Sequence, residues 1–280
     1  MGSKPSKAER PAPANAKTVV VPRIPQDVID EILDQLATYS DLESLRACSL
    51  VSKSWVSSCR PHLFHTAFFN SESVPGWLKT FPSPEESPAR HVRHLRIQIG
   101  GLRFVPKTFF GCIPWFTNAE KIFLLGPEPG DMPQVQIPSP WSPSQSVTSL
   151  TIETDMFTLK EIRDFMAALP NLDDLSLSGY LGMDEIGTSL AGGTGLGGKL
   201  VLRNVRHATM SVMGMLLEAP TGLRFTEVEI HSTRGCLLSV IRLVEACCKT
   251  LVKLSYTVSF PGKFHYFSWS SWWQCAKYRH

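Results

Sequence analysis

Two hydrophobic rhythms run along this chain, and the first is helical. Ile24, Val28, Ile29, Ile32, Leu33 and Leu36 recur at the spacing of one helix face. Pro25 suits the first helical position, where a missing N–H costs nothing. Asp27 then places an acid in the first turn, where the helix dipole favours it. Ser40-Asp41-Leu42-Glu43 has the form of a capping box and predicts a second helix carrying Leu42, Leu45 and Cys48. Ser52 predicts the cap of a third, with Trp55, Val56 and Cys59 on one side and Pro61 as its end.

The second rhythm is that of short strands. Seven segments share the form apolar-x-x-apolar-x-apolar, with central positions at Leu95, Ile122, Leu150, Leu175, Leu200, Val228 and Leu254. Their spacings are 27, 28, 25, 25, 28 and 26, within the roughly 20–29 residues of leucine-rich repeats. Helical patterns fall between them at Leu159–Leu169, where Pro170 stops the helix, at Met210–Glu218 and at Leu237–Cys248. The Asn or Cys that usually closes such a repeat is not regular here. The array resembles the divergent repeats that follow the N-terminal module of fungal ubiquitin-ligase receptors. An α/β sheet with crossover helices of similar length is the plainer alternative.

The helical stretch resembles an F-box. The family pattern is met by Ile24-Pro25-Gln26-Asp27-Val28, Ile32-Leu33, Asp41-Leu42 and Val51-Ser52-Lys53-Ser54-Trp55, with Ile for Leu and Asp for Glu as mild departures. The resemblance implies docking onto the Skp-type adaptor of a cullin–RING ubiquitin ligase. Ile24, Pro25, Val28, Ile29, Ile32, Leu33, Leu36, Leu42, Leu45, Val51 and Trp55 are the expected adaptor contacts. A physical argument agrees: three short helices of about 40 residues seldom build a sufficient core alone, so the surplus apolar surface needs a cover.

The expected class is α/β (α+β): a three-helix F-box, then an irregular leucine-rich-repeat-like solenoid of about seven strands with intervening helices. The expected divisions are a disordered basic tail at 1–22, the F-box at 23–68, a connector at 69–90, the repeats at 91–260 and an irregular aromatic tail at 261–280. The connector's Trp77, Leu78 and Phe81 predict a short helix sealing the junction. The stretch 126–146 holds six prolines, including Pro140-Trp141-Ser142-Pro143. It reads as a long surface loop rather than a polyproline ligand.

Charge narrows the function. The formal net charge is +3, but residues 1–23 carry +4 and residues 261–280 carry +3, leaving 24–260 at −4. No basic face for nucleic acid follows. The 7 cysteines are odd in number and mostly set in apolar runs, as expected of small buried hydrophobes in the cytosol or nucleus. Gly2 with Ser6 fits the N-myristoylation pattern, yet the pattern is short and common; a flexible tail and no membrane partner are expected.

No catalytic centre, metal site or cofactor is proposed by any motif. Gly193-x-Gly195-x-x-Gly198 lacks the preceding strand of a dinucleotide fingerprint and reads as a loop. His62 with His65, and His91 with His94, supply two ligands each and no completed set. The expected function is therefore that of a non-catalytic substrate receptor, or, alternatively, of an interaction scaffold that delivers nothing for ubiquitination. Period two along the strands turns Arg96, Phe123, Leu125, Glu153, Val201, Arg203, Glu229 and His231 to one outward face. That face is the expected site for an unidentified target protein.

Overall fold

The computed structural model describes residues 24–98, 112–126, 145–153, 157–180, 196–206, 209–219, 222–232, 236–260 and 263–270. The basic tail with Gly2, the prolines at 127–143, Gly193, Gly195 and residues 271–280 lie outside the described residues.

Helices α1 (Gln26–Thr38), α2 (Leu42–Ser49) and α3 (Lys53–Leu63) open the described chain. Pro25 caps α1 from outside rather than sitting at its first position. Its φ of −55° and ψ of 145° are extended, and its carbonyl accepts from Ile29 N–H at 3.2 Å. The end of α1 explains why α2 starts one residue later than the capping-box pattern suggests. Ser40 turns left-handed, with φ 57°. Its N–H then bonds the Ala37 carbonyl at 2.9 Å, while Asp41 N–H bonds Leu36 at 3.0 Å. This is a Schellman motif with serine where glycine is usual. Asp41, freed to act as the cap, accepts from Ser44 N–H at 3.0 Å. Ser52 caps α3, accepting from Trp55 N–H at 3.4 Å. The expected stop at Pro61 is not a stop: α3 continues to Leu63, since a proline this close to the end removes one hydrogen bond from a turn already short of them.

Among the described residues, nine strands form one sheet in chain order. They are β1 (Thr66–Phe69), β2 (His94–Gln98), β3 (Lys121–Leu125), β4 (Ser149–Glu153), β5 (Asp174–Tyr180), β6 (Leu196–Arg206), β7 (Leu223–Ser232), β8 (Lys253–Phe260) and β9 (Lys263–Ser270). Strands β1 to β8 are parallel, and β9 returns antiparallel to β8. The seven central residues of the sequence pattern stand side by side in register, Leu95 against Ile122, then Leu150, Leu175, Leu200, Val228 and Leu254.

Three expectations are corrected here. Strand β1 straddles the expected boundary between the F-box at 23–68 and the connector at 69–90, where no strand is expected. Strand β9 lies in the tail expected to be irregular; Phe260 pairs with Lys263. Leu196–Gly198, read as loop, already belongs to β6.

Helices α4 (Ser73–Thr80), α5 (Leu159–Ala168), α6 (Thr209–Leu217) and α7 (Leu237–Cys247) cover one face of the sheet. Val74, Ile162, Phe165, Val212, Leu216, Val240 and Leu243 join the inward strand residues in a single buried cluster. Each such side chain contributes roughly 1.5–3 kcal/mol by leaving water. Thr158 and Glu161 form the capping box that starts α5. At the β1 end Phe69, Trp77 and Phe116 pack edge to face or stacked, with centroids 5.0 to 6.3 Å apart.

Successive turns are tied by a repeated device. The carbonyls of His65, Arg93, Glu120 and Thr148 each accept two consecutive N–H groups from the next strand's entry, at 2.8 to 3.1 Å. The device breaks at β6, where Asp174 Oδ1 accepts from Lys199 N–H instead, at 2.8 Å. Side chains add ties elsewhere: Asn118 donates to the Arg90 carbonyl and Asn171 to that of Gln145, both at 2.7 Å.

Candidate functional site

The helical stripe of α1 proves to be two adjoining stripes. Ile29, Leu33 and the half-buried Leu36 point inward onto Leu45 and Cys59 and make a small core separate from that of the sheet. Leu33 and Leu45 are 0% exposed, so neither is available to a partner; with Ile29 they hold the module together. This corrects the expectation that all eleven named residues face the adaptor. The second stripe is open: Ile24, Val28 and Ile32 are 53%, 44% and 40% exposed, and Pro25, Leu42 and Val51 are exposed as well. Trp55 is half-buried. Sequence reasoning missed Tyr39 and Leu50, both well exposed, because they sit at helix ends outside any periodic stripe.

Residues 21–66 match the family model described as the F-box domain. The chain carries an F-box. No curated protein and no solved structure matches it. The F-box meets the sheet almost without a linker, since only Phe64 and His65 separate α3 from β1. At this seam His65 and His94 pack edge to face at 4.6 Å, and His62 lies 3.4 Å from Asp34. The histidine pairs seen in the sequence are therefore rearranged in space. Burial, then the charges of His65 and Lys121, push His94 below its ordinary range. Burial, then Arg90 and Arg60, do the same to His91. Among the described residues no group of three or more His, Cys, Asp or Glu side chains gathers as a metal site would require.

The sheet's other face carries the remaining named residues. Phe68, Arg96, Phe123, Thr151, Ser176, Val201, Glu229 and Ser255 form one row in register. Gln98, Leu125, Glu153, Ser178, Arg203, His231 and Thr257 form the next. Phe68, 47% exposed, was missed because β1 was missed.

Val201 is a correction. It is 7% exposed, not an open apolar contact. Lys199 and Arg203 flank it on its own strand and both reach Glu229 on the next, at 3.8 and 2.8 Å, so their ion pairs lie over it. Glu229 Oε1 also meets His231 Nε2 at 3.0 Å. Burial alone would raise the Glu229 carboxyl; the hydrogen bonds from Arg203 and His231 outweigh it and hold the group below its ordinary range.

Proposed function

We propose that this chain is the substrate-recognition subunit of an SCF-type cullin–RING ubiquitin ligase. Its F-box docks the Skp-type adaptor through Ile24, Pro25, Val28, Ile32, Leu42 and Val51, with Leu36 and Trp55 at the margin. The strands and helices act as a leucine-rich-repeat-like solenoid, whose open sheet face holds the target protein. The chain itself does no chemistry, and it works in the cytosol or nucleus, where its buried thiols stay reduced.

The observation that carries this reading is an F-box whose outer apolar stripe lacks a cover, joined through two residues to a sheet whose second face no helix covers, both among the described residues. A charge placed on that stripe would be buried unpaired in the complex, yet stays in water in the free chain. Val28→Asp with Ile32→Asp is therefore expected to weaken adaptor binding at least about a hundredfold, with helix content by circular dichroism unchanged. Leu33→Asp is the unsuitable variant, because Leu33 is core. Adaptor capture that survives the double substitution would sink the assignment. The scaffold alternative is separated by reconstituting the ligase: a receptor supports ubiquitin transfer to the protein it captures, a scaffold does not.

A further inference from the structure

The open face is not uniform in charge. At its β6–β8 end the cations are met by acids: Arg203 by Glu229 at 2.8 Å, Lys199 by Glu227 and Glu229 at 3.8 Å, and Lys253 by Glu227 at 3.7 Å. At its β1–β3 end Arg96 and Lys121 are exposed, and among the described residues neither has a carboxylate within ion-pairing distance. Glu120, next to Lys121, is held by Arg93 at 3.0 Å. Arg96 instead lies over the Phe123 ring, its Cζ 5.7 Å from the centroid. In register beside Arg96 on the other side stands Phe68. Glu153 belongs to the next row, beside Leu125.

We propose that the β1–β3 end of this face binds an acidic segment of the target protein, its carboxylates on Arg96 and Lys121 and a neighbouring aliphatic or aromatic side chain against the exposed Phe68 on the far side of Arg96 from Phe123. This rests on the receptor reading and names the chemistry of its partner. Charge complementarity selects the occupant. Two unpaired cations beside aromatic faces match a pair of carboxylates and an apolar anchor. A nucleic acid would need a longer run of cations, and it would meet Glu153 and the net negative charge of the 24–260 body. The paired charges at β6–β8 exert little field on a ligand, so the two ends differ in what they attract.

The test uses the full chain with its adaptor. Three fluorescent probes are titrated by anisotropy: a short Glu/Asp peptide containing a Leu-Phe pair, its Gln/Asn counterpart, and a single-stranded DNA of equal charge. The acidic peptide is expected to bind best. Arg96→Glu with Lys121→Glu should weaken it roughly tenfold to a hundredfold, Phe123→Ala should weaken it as well, and Arg203→Glu should change it little. Arg96→Gln with Lys121→Gln serves as the milder pair should charge reversal disturb the fold. Equal binding of the amide peptide, preferred binding of the DNA, or indifference to both cation pairs would overturn the proposal. The receptor reading is scored separately. If Phe123→Ala abolishes target capture in cells while the acidic peptide does not bind, the partner chemistry is wrong and the receptor stands. If captured proteins are unchanged by every variant on the face, the receptor reading falls with it.

Discussion

At the scale of single residues, Ser40 carries an avoidable strain. A left-handed backbone costs a non-glycine residue roughly 1–2 kcal/mol, and glycine is the usual occupant of this place in a Schellman motif. Ser40→Gly relieves that cost and gives back part of it as chain entropy in the unfolded state. The expected net result is a stabilisation of up to about 1 kcal/mol, read as a higher midpoint in urea with unchanged slope; a lower midpoint would contradict the φ of 57°. Gly198 is the opposite case. Its φ is 64°, and a Cβ there would come within 2.5 Å of Asp174 Oδ1 and 3.0 Å of the Asp173 carbonyl oxygen. The last glycine of the Gly193-x-Gly195-x-x-Gly198 string is thus required by close approach of two strands.

That requirement becomes a property of an element in β6. The register of β6 against β7 shifts between Gly198 and Lys199, at the place where Asp174 replaces the backbone tie. Gly198→Ala both strains the backbone and displaces Asp174 from Lys199 N–H. A loss of about 1–3 kcal/mol is expected, with accelerated hydrogen exchange confined to β5 and β6; exchange at wild-type rates would refute the account. The elements also mark what was legible beforehand. Strands β2 to β8 were readable because an inward residue recurs every 25 to 28 positions, and the core enforces that period. Strand β1 obeys it too. Phe64-x-x-Ala67-x-Phe69 has the same form, and Ala67 precedes Leu95 by 28. It was passed over because alanine is a weak apolar signal and the helix of Pro61 runs straight into it. In α1 the stripe was legible but its division was not, since periodicity shows that Ile32 and Leu33 are apolar without showing which one α2 and α3 cover. Val201 was misplaced for a similar reason: alternation gives the face of a residue, not the long side chains that close over it.

For the whole molecule, the seam between F-box and sheet is where pH should act. His91 and His94 are held below the ordinary histidine range in the folded chain, so the unfolded chain takes up protons first. Stability is therefore intact above the ordinary histidine range and falls as pH drops through it. The groups facing them are Arg60, Arg90, His65, Lys121 and Glu120; all but Glu120 oppose a further positive charge. The melting temperature is expected to fall between about pH 7.5 and pH 5.5, with a flatter profile when His91→Gln and His94→Gln are combined; equal profiles would rule out the seam as the source. Strand order has a consequence of another kind. A sheet laid down in chain order can be completed in chain order on the ribosome. Every parallel strand after the first meets an edge that left the exit tunnel about 25–28 residues earlier, so each closure costs a similar small loop entropy and none waits for a distant partner. The three helices precede all nine strands. The F-box is therefore whole on the nascent chain while most of the sheet has yet to be synthesised, and in the receptor proposed above adaptor docking would precede the surface proposed to hold a target.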